Sequence, residues 1–165
     1  MDDPFDTLGL PRRFDLTPAE ISAAHRRSVA RLHPDRATDP FERDRLVRLS
    51  SEAGAAKQRL LTEVGRAEAL LALLGASAFG ARQPSPAFLM ETLELREEID
   101  MAVAHPAAAP VGAVADRVAA LRAQCVADLT AAFAASPFDG AKSGDALVRL
   151  RYLDRMVARL QDGGP

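Results

Sequence analysis

The chain has 165 residues and a formal charge of −2, with 21 basic and 23 acidic side chains, so neither sign is in enough excess to support general binding to nucleic acid or to a membrane surface. Alanine is the most common residue, tryptophan is absent and only 5% of the residues are aromatic, which favours packed helices over sheets. A single cysteine, Cys125, excludes an internal disulfide and an all-cysteine metal site, and it fits a reducing compartment, so we expect the cytoplasm.

The N-terminus has none of the features of a targeting signal. Residues 1–6 are acidic where a secretory signal would be basic and then apolar, so we expect the mature protein to begin here. The longest uncharged run, Ala69 to Ala81, is too short to span a bilayer and is interrupted by glycine and serine. We therefore expect no segment to cross a membrane.

The first long helix is predicted to start at residues 17–20, Thr-Pro-Ala-Glu. This segment combines a hydroxyl N-cap, a proline at the first helical position and a glutamate three residues after the cap. The helix should end near Leu32, because Pro34 disfavours the helical conformation at His33. Its apolar residues fall on one side of a helical wheel. The basic residues on the other side are Arg26, Arg27 and Arg31.

A second long helix is predicted from about Phe41 to Leu61, where apolar residues recur at steps of three and four. It would pack antiparallel on the first helix across the loop of residues 33–40. A shorter amphipathic helix follows from Arg66 to Leu74 and stops at Gly75. We expect these elements to form a first domain, residues 1–75.

The helical patterns in the second half of the chain predict a helix bundle. Residues 76–86 contain small residues and two prolines, which is typical of a linker. Three helical patterns follow, from Pro86 or Ala87 to Ala104, from about Val111 to Ala135 and from about Ser143 to Leu160. The turns between them are His105–Pro110 and Ser136–Gly144. Such short connections predict an antiparallel three-helix bundle over residues 87–165, and no segment has a strand pattern.

The tripeptide His33-Pro34-Asp35 lies between the two helices of the first domain. Taken alone it could be a tight turn, because proline and aspartate are ordinary turn formers. The helix before it, however, places Arg27 and Arg31 four residues apart on one face, where like charges repel. A face that only had to be soluble would mix its charges, so the context favours an interaction surface.

These features resemble a J domain, the module that stimulates ATP hydrolysis by a DnaK-type chaperone. The matching parts are residues 5–10 (Phe-Asp-Thr-Leu-Gly-Leu), the capped basic helix, the tripeptide and the antiparallel helix after it. Three further segments resemble one branch of that family, the HscB-type co-chaperones of iron-sulfur cluster assembly. They are Arg66–Leu71, Phe88–Asp100 and Leu150–Asp154, so the resemblance covers nearly the whole chain.

The resemblance implies an all-α, L-shaped molecule, with an N-terminal J domain (an antiparallel helical hairpin with its His-Pro-Asp loop) and a C-terminal three-helix bundle. It implies that the J domain binds a DnaK/HscA-type chaperone and stimulates its ATPase, and that the bundle binds an IscU-type iron-sulfur scaffold protein. It implies no cofactor and no zinc module. The residues expected to contact the chaperone are Arg26, Arg27, Arg31, His33, Pro34 and Asp35.

The segment after the linker has two apolar sides. On a helical wheel one stripe predicts a core-facing side, formed by Phe88, Thr92, Leu95, Ile99 and Ala102. A three-helix bundle covers one stripe per helix, so apolar residues on the far side indicate a docking surface unless the linker or the first domain covers them. The resemblance assigns scaffold binding to this far side and to one aromatic residue of the last helix, namely Leu89, Met90, Leu93, Glu94, Glu97, Met101 and Tyr152. Tyr152 lies on the polar side of its own wheel.

The chain departs from the family on the second J-domain helix. Gly54 and Lys57 stand within a segment where the family commonly has an Ile-Asn pair followed by alanine and an aromatic residue, and Glu63 stands where it commonly has proline. A glycine inside a helix costs up to about 1 kcal/mol relative to alanine. We therefore expect the departures to alter local packing and helix boundaries more than the loop's function.

Two alternative functions are an enzyme and a J-domain co-chaperone that serves a different client. An enzyme would need a reactive constellation, but the three histidines are scattered and no Glu-x-x-His pair, glycine-rich phosphate loop or nucleophile motif is found. Cys125 is expected in the core, where a thiol is inert. The second alternative is a J-domain co-chaperone that serves a different client, whose bundle would lack the doubled apolar face.

Overall fold

The structure, a computed structural model, describes residues 3–105 and 111–162 with their side chains, except those of Arg36 and Asp162. Every regular element within these ranges is a helix, and the predicted all-α fold is confirmed. The chain divides after Gly75 into two compact units, unit 1 before this point and unit 2 after it. None of the described helices is both long enough and apolar enough to span a bilayer.

Unit 1 contains four α-helices and a 3-10 turn. They are α1 (Pro4–Leu8), α2 (Pro18–Arg31), the 3-10 turn Pro34–Arg36, α3 (Pro40–Leu61) and α4 (Glu63–Leu73). The start of α2 forms the predicted capping box, since the Glu20 amide donates to Thr17 Oγ1 at 3.2 Å and the Thr17 amide donates to the Glu20 carboxylate at 2.7 Å. The predicted boundaries of α2 and α3 therefore lie within one or two residues of those observed.

The core of unit 1 lies where α1, α2 and α4 pack against α3. Its fully buried side chains include Phe5, Ile21, Leu60 and Leu71. Arg66 is also buried, and its guanidinium donates to the carbonyl oxygens of Phe14 at 3.0 Å and Leu60 at 2.7 Å. A buried cation is tolerated when its donors are satisfied, so Arg66 joins the segment before α2 to the corner between α3 and α4.

The departures from the family are accommodated within unit 1. Helix α3 continues through Gly54, at which an added Cβ would meet nothing within 4 Å. Glu63 takes the first position of α4, and Thr62 caps that helix by accepting the Gly65 amide at 3.0 Å. Gly65 itself has no such space, because a Cβ there would clash with the carbonyl oxygen of Arg59. The α3–α4 corner thus forms without the proline.

Unit 2 begins with a helix in the segment that we predicted as a linker. Helix α5 (Ser77–Gly80) packs on the last helix of the chain. A Cβ at Gly140 would lie 2.6 Å from the Phe79 ring, and one at Gly144 would lie 2.5 Å from the Phe79 carbonyl oxygen. These two glycines leave room for Phe79, so residues 77–80 are a packed part of unit 2 and not an open connection.

The other helices of unit 2 are α6 (Pro86–Ala104), α7 (Val111–Ala134) and α8 (Gly140–Asp162), which pack on one another as a bundle. Helix α8 starts three residues before the predicted Ser143, because Asp139 accepts the Lys142 amide at 2.9 Å and caps it. The turn predicted at His105–Pro110 lies largely outside the described residues. The bundle core includes Ile99, Val118, Leu129, Leu147 and Leu150.

Ion pairs link each helix of the bundle to the other two. Arg117 of α7 meets Glu98 of α6 at 2.6 Å. Helix α8 reaches both neighbours, through Arg149–Glu91 and Arg159–Asp100 to α6 and through Arg122–Asp154 and Lys142–Asp128 to α7. The side chains of these pairs are a third to a half exposed, so each contributes little to the free energy of unfolding.

Candidate functional site

The basic residues of α2 are exposed. Arg26, Arg27 and Arg31 lie on its solvent side, whereas Ile21, Ala24 and Ser28 are buried. None of the three arginines has an ion pair or a side-chain hydrogen bond to another described residue. Three uncompensated positive charges on one helix face are available to an acidic partner.

The His-Pro-Asp loop forms the 3-10 turn directly after α2. His33 is the residue before the turn, and its Nδ1 accepts the amide of Asp35 at 3.3 Å. Pro34 occupies the first position of the turn, and its carbonyl accepts the Ala37 amide at 3.1 Å. The backbone is therefore held locally, while the Asp35 carboxylate is 78% exposed, with His33 Nδ1 at 3.5 Å from it. The turn presents this carboxylate to solvent.

An exposed aromatic residue follows the loop. Phe41, the second residue of α3, is 88% exposed. From the sequence we predicted only that a helix begins near Phe41. A helical wheel could have predicted the exposure of Phe41. The buried residues of α3, which are Ala53, Ala56 and Leu60, lie on a different side of the helix from Phe41.

The predicted two-sided character of α6 is present in the structure. The core-facing stripe is buried, comprising Phe88, Thr92, Leu95, Ile99 and Ala102. Leu89 is 39% exposed, Met90 62%, Leu93 57% and Met101 59%, and Glu94 and Glu97 are exposed too. Large apolar side chains grouped on one exposed helix face are typical of an interaction surface.

The structure divides these α6 residues into two adjacent surfaces. Leu89 and Leu93 line a groove of about 470 Å³ between α6 and α8, which we call the α6–α8 groove. Its other lining residues are Thr92, Arg96, Tyr152, Arg155, Met156 and Arg159. The remaining predicted residues, Met90, Glu94, Glu97 and Met101, do not line it. They fall on the outward side of α6, beyond Leu93 on the wheel.

Tyr152 does not stand alone on a polar face as its wheel position suggested. Its ring meets the buried Phe88 ring edge-on, with centroids 5.6 Å apart and planes at 86°. The Arg155 guanidinium carbon lies 4.7 Å from the centroid of the Tyr152 ring. The structure thus brings Tyr152 beside Leu89 and Leu93. Three groove residues not predicted from the sequence, Arg155, Met156 and Arg159, follow Tyr152 at helical spacing, which was the available signal. Arg96, also not predicted, follows Leu89 and Leu93 on α6.

Two observations bear on catalysis and metal binding, the burial of Cys125 and the placement of potential metal ligands. Cys125 is buried, and burial raises the pKa of its thiol, which favours the unreactive protonated form. Across residues 3–105 and 111–162 no group of three or more His, Cys, Asp or Glu side chains could hold a metal ion. The exposed surfaces of both units are suited to binding other macromolecules.

Comparison with known proteins finds similarity over nearly the whole chain. Residues 84–161 match the family model described as the HSCB C-terminal oligomerisation domain. A co-chaperone protein HscB homolog of Vibrio cholerae (strain M66-2) is 35% identical over 167 residues, which covers 96% of each chain. A co-chaperone protein HscB homolog of Vibrio campbellii is 39% identical over 100 residues, 58% of each chain.

Two solved structures share the fold. The chaperone HscB from Vibrio cholerae matches with a TM-score of 0.80 and 29% identity, over 98% of this chain and 96% of the other. The human co-chaperone protein HscB matches with a TM-score of 0.79 over 98% of this chain and 81% of the other. At 22% identity, the human structure supports the fold alone.

Proposed function

The chain belongs to the HscB family of co-chaperones, and on that basis we propose that it binds an IscU-type iron-sulfur scaffold protein, delivers it to a DnaK/HscA-type chaperone and stimulates that chaperone's ATPase. The observation that carries the proposal is the presence of two separate exposed surfaces in one chain. Unit 1 presents the exposed Asp35 in the turn that follows α2, the helix with the basic face. Unit 2 presents apolar side chains on α6 and in the α6–α8 groove.

Unit 1 would act as the J domain, residues 1–75, and bind the chaperone. The α2 arginines would meet an acidic groove on the ATPase, and Asp35 would accept charge-assisted hydrogen bonds from it. Pro34 sets the direction of the loop, and His33 holds the Asp35 amide. Binding would favour the hydrolysing state of the chaperone, because a ligand shifts a conformational equilibrium only by its difference in affinity for the two states.

Unit 2 would bind the scaffold through residues 87–165. Leu89, Leu93 and Tyr152 offer apolar area at the groove, and Met90 and Met101 extend it over the outward side of α6, with Glu94 and Glu97 among them. Burial of such area in a complex supplies most of the binding energy. The carboxylates at the edge would contribute to orientation and partner choice.

The protein would thus work as an adaptor that performs no covalent step itself. Holding the scaffold and the chaperone at once makes their encounter intramolecular and raises the effective concentration of one for the other. This role requires no cofactor, and we place it in the cytoplasm. It needs only that the two surfaces bind at the same time.

An ATPase assay tests this proposal directly. The hydrolysis rate of the chaperone is measured alone, with this protein, with the scaffold, and with both. Stimulation by this protein alone, with a further increase when the scaffold is added, is expected. Stimulation without any binding of the scaffold would instead indicate a J-domain co-chaperone with a different client. No stimulation in any mixture would refute the assignment of unit 1.

A further inference from the structure

Two arginines in the α6–α8 groove have no carboxylate partner among the residues that the structure describes, and we propose that they determine specificity by binding a carboxylate of the scaffold protein. The occupant is a scaffold segment that inserts an apolar side chain beside Leu89, Leu93 and Tyr152 and places an acidic side chain against Arg96 and Arg155. This inference rests on the proposed function, since it names the chemistry of the partner at the same surface.

The charge pattern of unit 2 singles out these arginines. Arg117, Arg122, Arg149 and Arg159 each lie within 3.0 Å of a carboxylate. Arg96 and Arg155 have no ion pair or hydrogen bond to any residue that the structure describes. Arg159, the third arginine of the groove, is already paired with Asp100 at 2.6 Å. The groove therefore carries two positive charges that no described side chain neutralises.

Arg155 is positioned in advance for a planar acceptor. Its guanidinium carbon lies over the Tyr152 ring, 4.7 Å from the centroid, and that ring meets the buried Phe88 edge-on. No described acceptor takes up the N–H donors of this guanidinium, so they are available to a carboxylate. Because the stacked side chain has already lost rotamer freedom, binding costs less conformational entropy.

The lining of the groove favours an occupant that is both apolar and acidic. Leu89 and Leu93 of α6 line the groove, and so does Met156 of α8, which is 8% exposed. None of the described residues that line the groove is acidic. A basic segment would bring like charges together without compensation, whereas an acidic one gains charge complementarity. The groove therefore discriminates by charge and binds by apolar contact.

Binding of the purified scaffold protein to the full chain tests the inference by titration calorimetry at about 0.1 M and about 1 M salt, between which the Debye length falls from roughly 10 Å to roughly 3 Å. The double variant Arg96→Gln/Arg155→Gln should bind roughly tenfold or more weakly at the lower salt. The difference from the unsubstituted protein should shrink at the higher salt. Arg155→Lys, which keeps the charge but not the planar fork, should fall between the two.

Arg82→Gln is the matched control. The Arg82 guanidinium also lies over an aromatic ring of unit 2, that of Phe79 at 5.4 Å, but Arg82 lies outside the groove and is paired with Asp145 at 3.7 Å. This variant should bind the scaffold as the unsubstituted protein does. Equal weakening by Arg82→Gln would show general attraction between charged surfaces and would overturn the inference.

Two further results distinguish this inference from the proposed function. If the double variant binds as tightly as the unsubstituted protein at the lower salt, the arginines do not contact a carboxylate, and scaffold binding itself stands. If the unsubstituted protein does not bind the scaffold, both proposals fail. Arg96→Gln alone, which leaves the Tyr152 stack intact, and melting curves for every variant ensure that lost binding reflects lost charge and not unfolding.

Discussion

The imidazole of His33 holds the backbone of Asp35, whose amide donates a hydrogen bond to Nδ1 at 3.3 Å. The same nitrogen lies 3.5 Å from the Asp35 carboxylate. This hydrogen bond fixes the backbone of the turn, while the Asp35 side chain remains 78% exposed to solvent. The Asp35 carboxylate is therefore free to bind a partner.

Replacing Asp35 by Asn should abolish stimulation of the chaperone's ATPase. The amide keeps the size of the side chain but cannot supply the negative charge of a charge-assisted hydrogen bond. The fold should be unchanged, because the side chain is 78% exposed, and circular dichroism with a melting curve checks this. Asp44→Asn, at an exposed position of α3, should stimulate normally. Full stimulation by Asp35→Asn would mean that the tripeptide is only a turn.

Reversing Arg27 and Arg31 to Glu should weaken the chaperone complex and reduce its salt dependence, since exposed charges act through screened attraction. The complex is measured by titration at several ionic strengths. Because the substitutions lie in unit 1, binding of the scaffold should persist and serves as the control. A salt dependence equal to that of the unsubstituted protein would exclude the basic face from the contact.

Truncating Leu89, Met90 and Leu93 together to Ala should reduce scaffold affinity by about a hundredfold or more. Each side chain, if buried in the complex, contributes roughly 1.5 to 3 kcal/mol, and each 1.4 kcal/mol changes the dissociation constant about tenfold. ATPase stimulation in the absence of scaffold should persist. Unchanged binding in a calorimetric titration would refute the docking surface.

Leu95→Ala, on the core-facing side of the same helix, should affect stability more than the triple variant does. Leu95 is 1% exposed, so its truncation should lower the free energy of unfolding by roughly 2 to 5 kcal/mol. The triple variant should lose less than this, because its side chains are 39 to 62% exposed. Urea denaturation of both variants compares them. A larger loss in the triple variant would mean that these side chains support the bundle.

Local signals in the sequence predicted much of unit 1 and the two sides of α6. The start of α2 depends on neighbours only, since Thr17 and Glu20 bond each other's amides, and Pro34 limits its end. The α6 stripe follows from helical periodicity, which needs no knowledge of the partner helix. Where a feature is determined within a few residues along the chain, sequence reasoning was sufficient.

Features that depend on distant contacts were missed. Helix α5 has only four residues, too few for a periodic pattern, and it is held by Gly140 and Gly144 far along the chain. Tyr152 was placed on a polar face because a wheel gives only the direction in which a side chain leaves the helix. Its ring extends from there to Phe88 on another helix, which no single-helix analysis can show.

Alanine at the two unit 1 glycines of α3 and α4 should act in opposite directions. At Gly54 a Cβ has open space, so Gly54→Ala should raise the free energy of unfolding by up to about 1 kcal/mol. At Gly65 a Cβ would clash with the Arg59 carbonyl oxygen, and overpacking should cost roughly 1 to 3 kcal/mol. Urea denaturation measures both. Equal effects would contradict the close approach of α3 and α4.

The stability of unit 1 should fall as the pH drops through about 6.5. Burial, followed by the charges of Lys57 and Arg26, lowers the pKa of His25 in the folded protein, whereas in the unfolded chain it is about 6.5. Below that pH the unfolded state therefore binds more protons than the folded state, and the free energy of unfolding decreases. Hydrogen bonds to Thr17 lower the pKa of Glu20, so Glu20 does not contribute to the change in stability near pH 6.5.

Melting temperatures between about pH 5 and pH 7.5 check this dependence. The slope should be present in the unsubstituted protein and reduced in His25→Gln, which cannot take up a proton. A His105→Gln variant, in unit 2, controls for the loss of a histidine elsewhere. An unchanged slope in His25→Gln would show that another group is responsible.

The ion pairs between α6 and α8 favour one offset of these helices along each other. Two packed helices can be offset by a whole turn, because residues three and four apart lie on the same face of a helix. A shift of α8 by one turn would separate Arg149 from Glu91 and Arg159 from Asp100 and leave four charges unpaired. Weak pairs that add little to stability can still make one alignment preferred over its neighbours. They therefore keep Tyr152 opposite Leu89 and Leu93, and the groove in one shape.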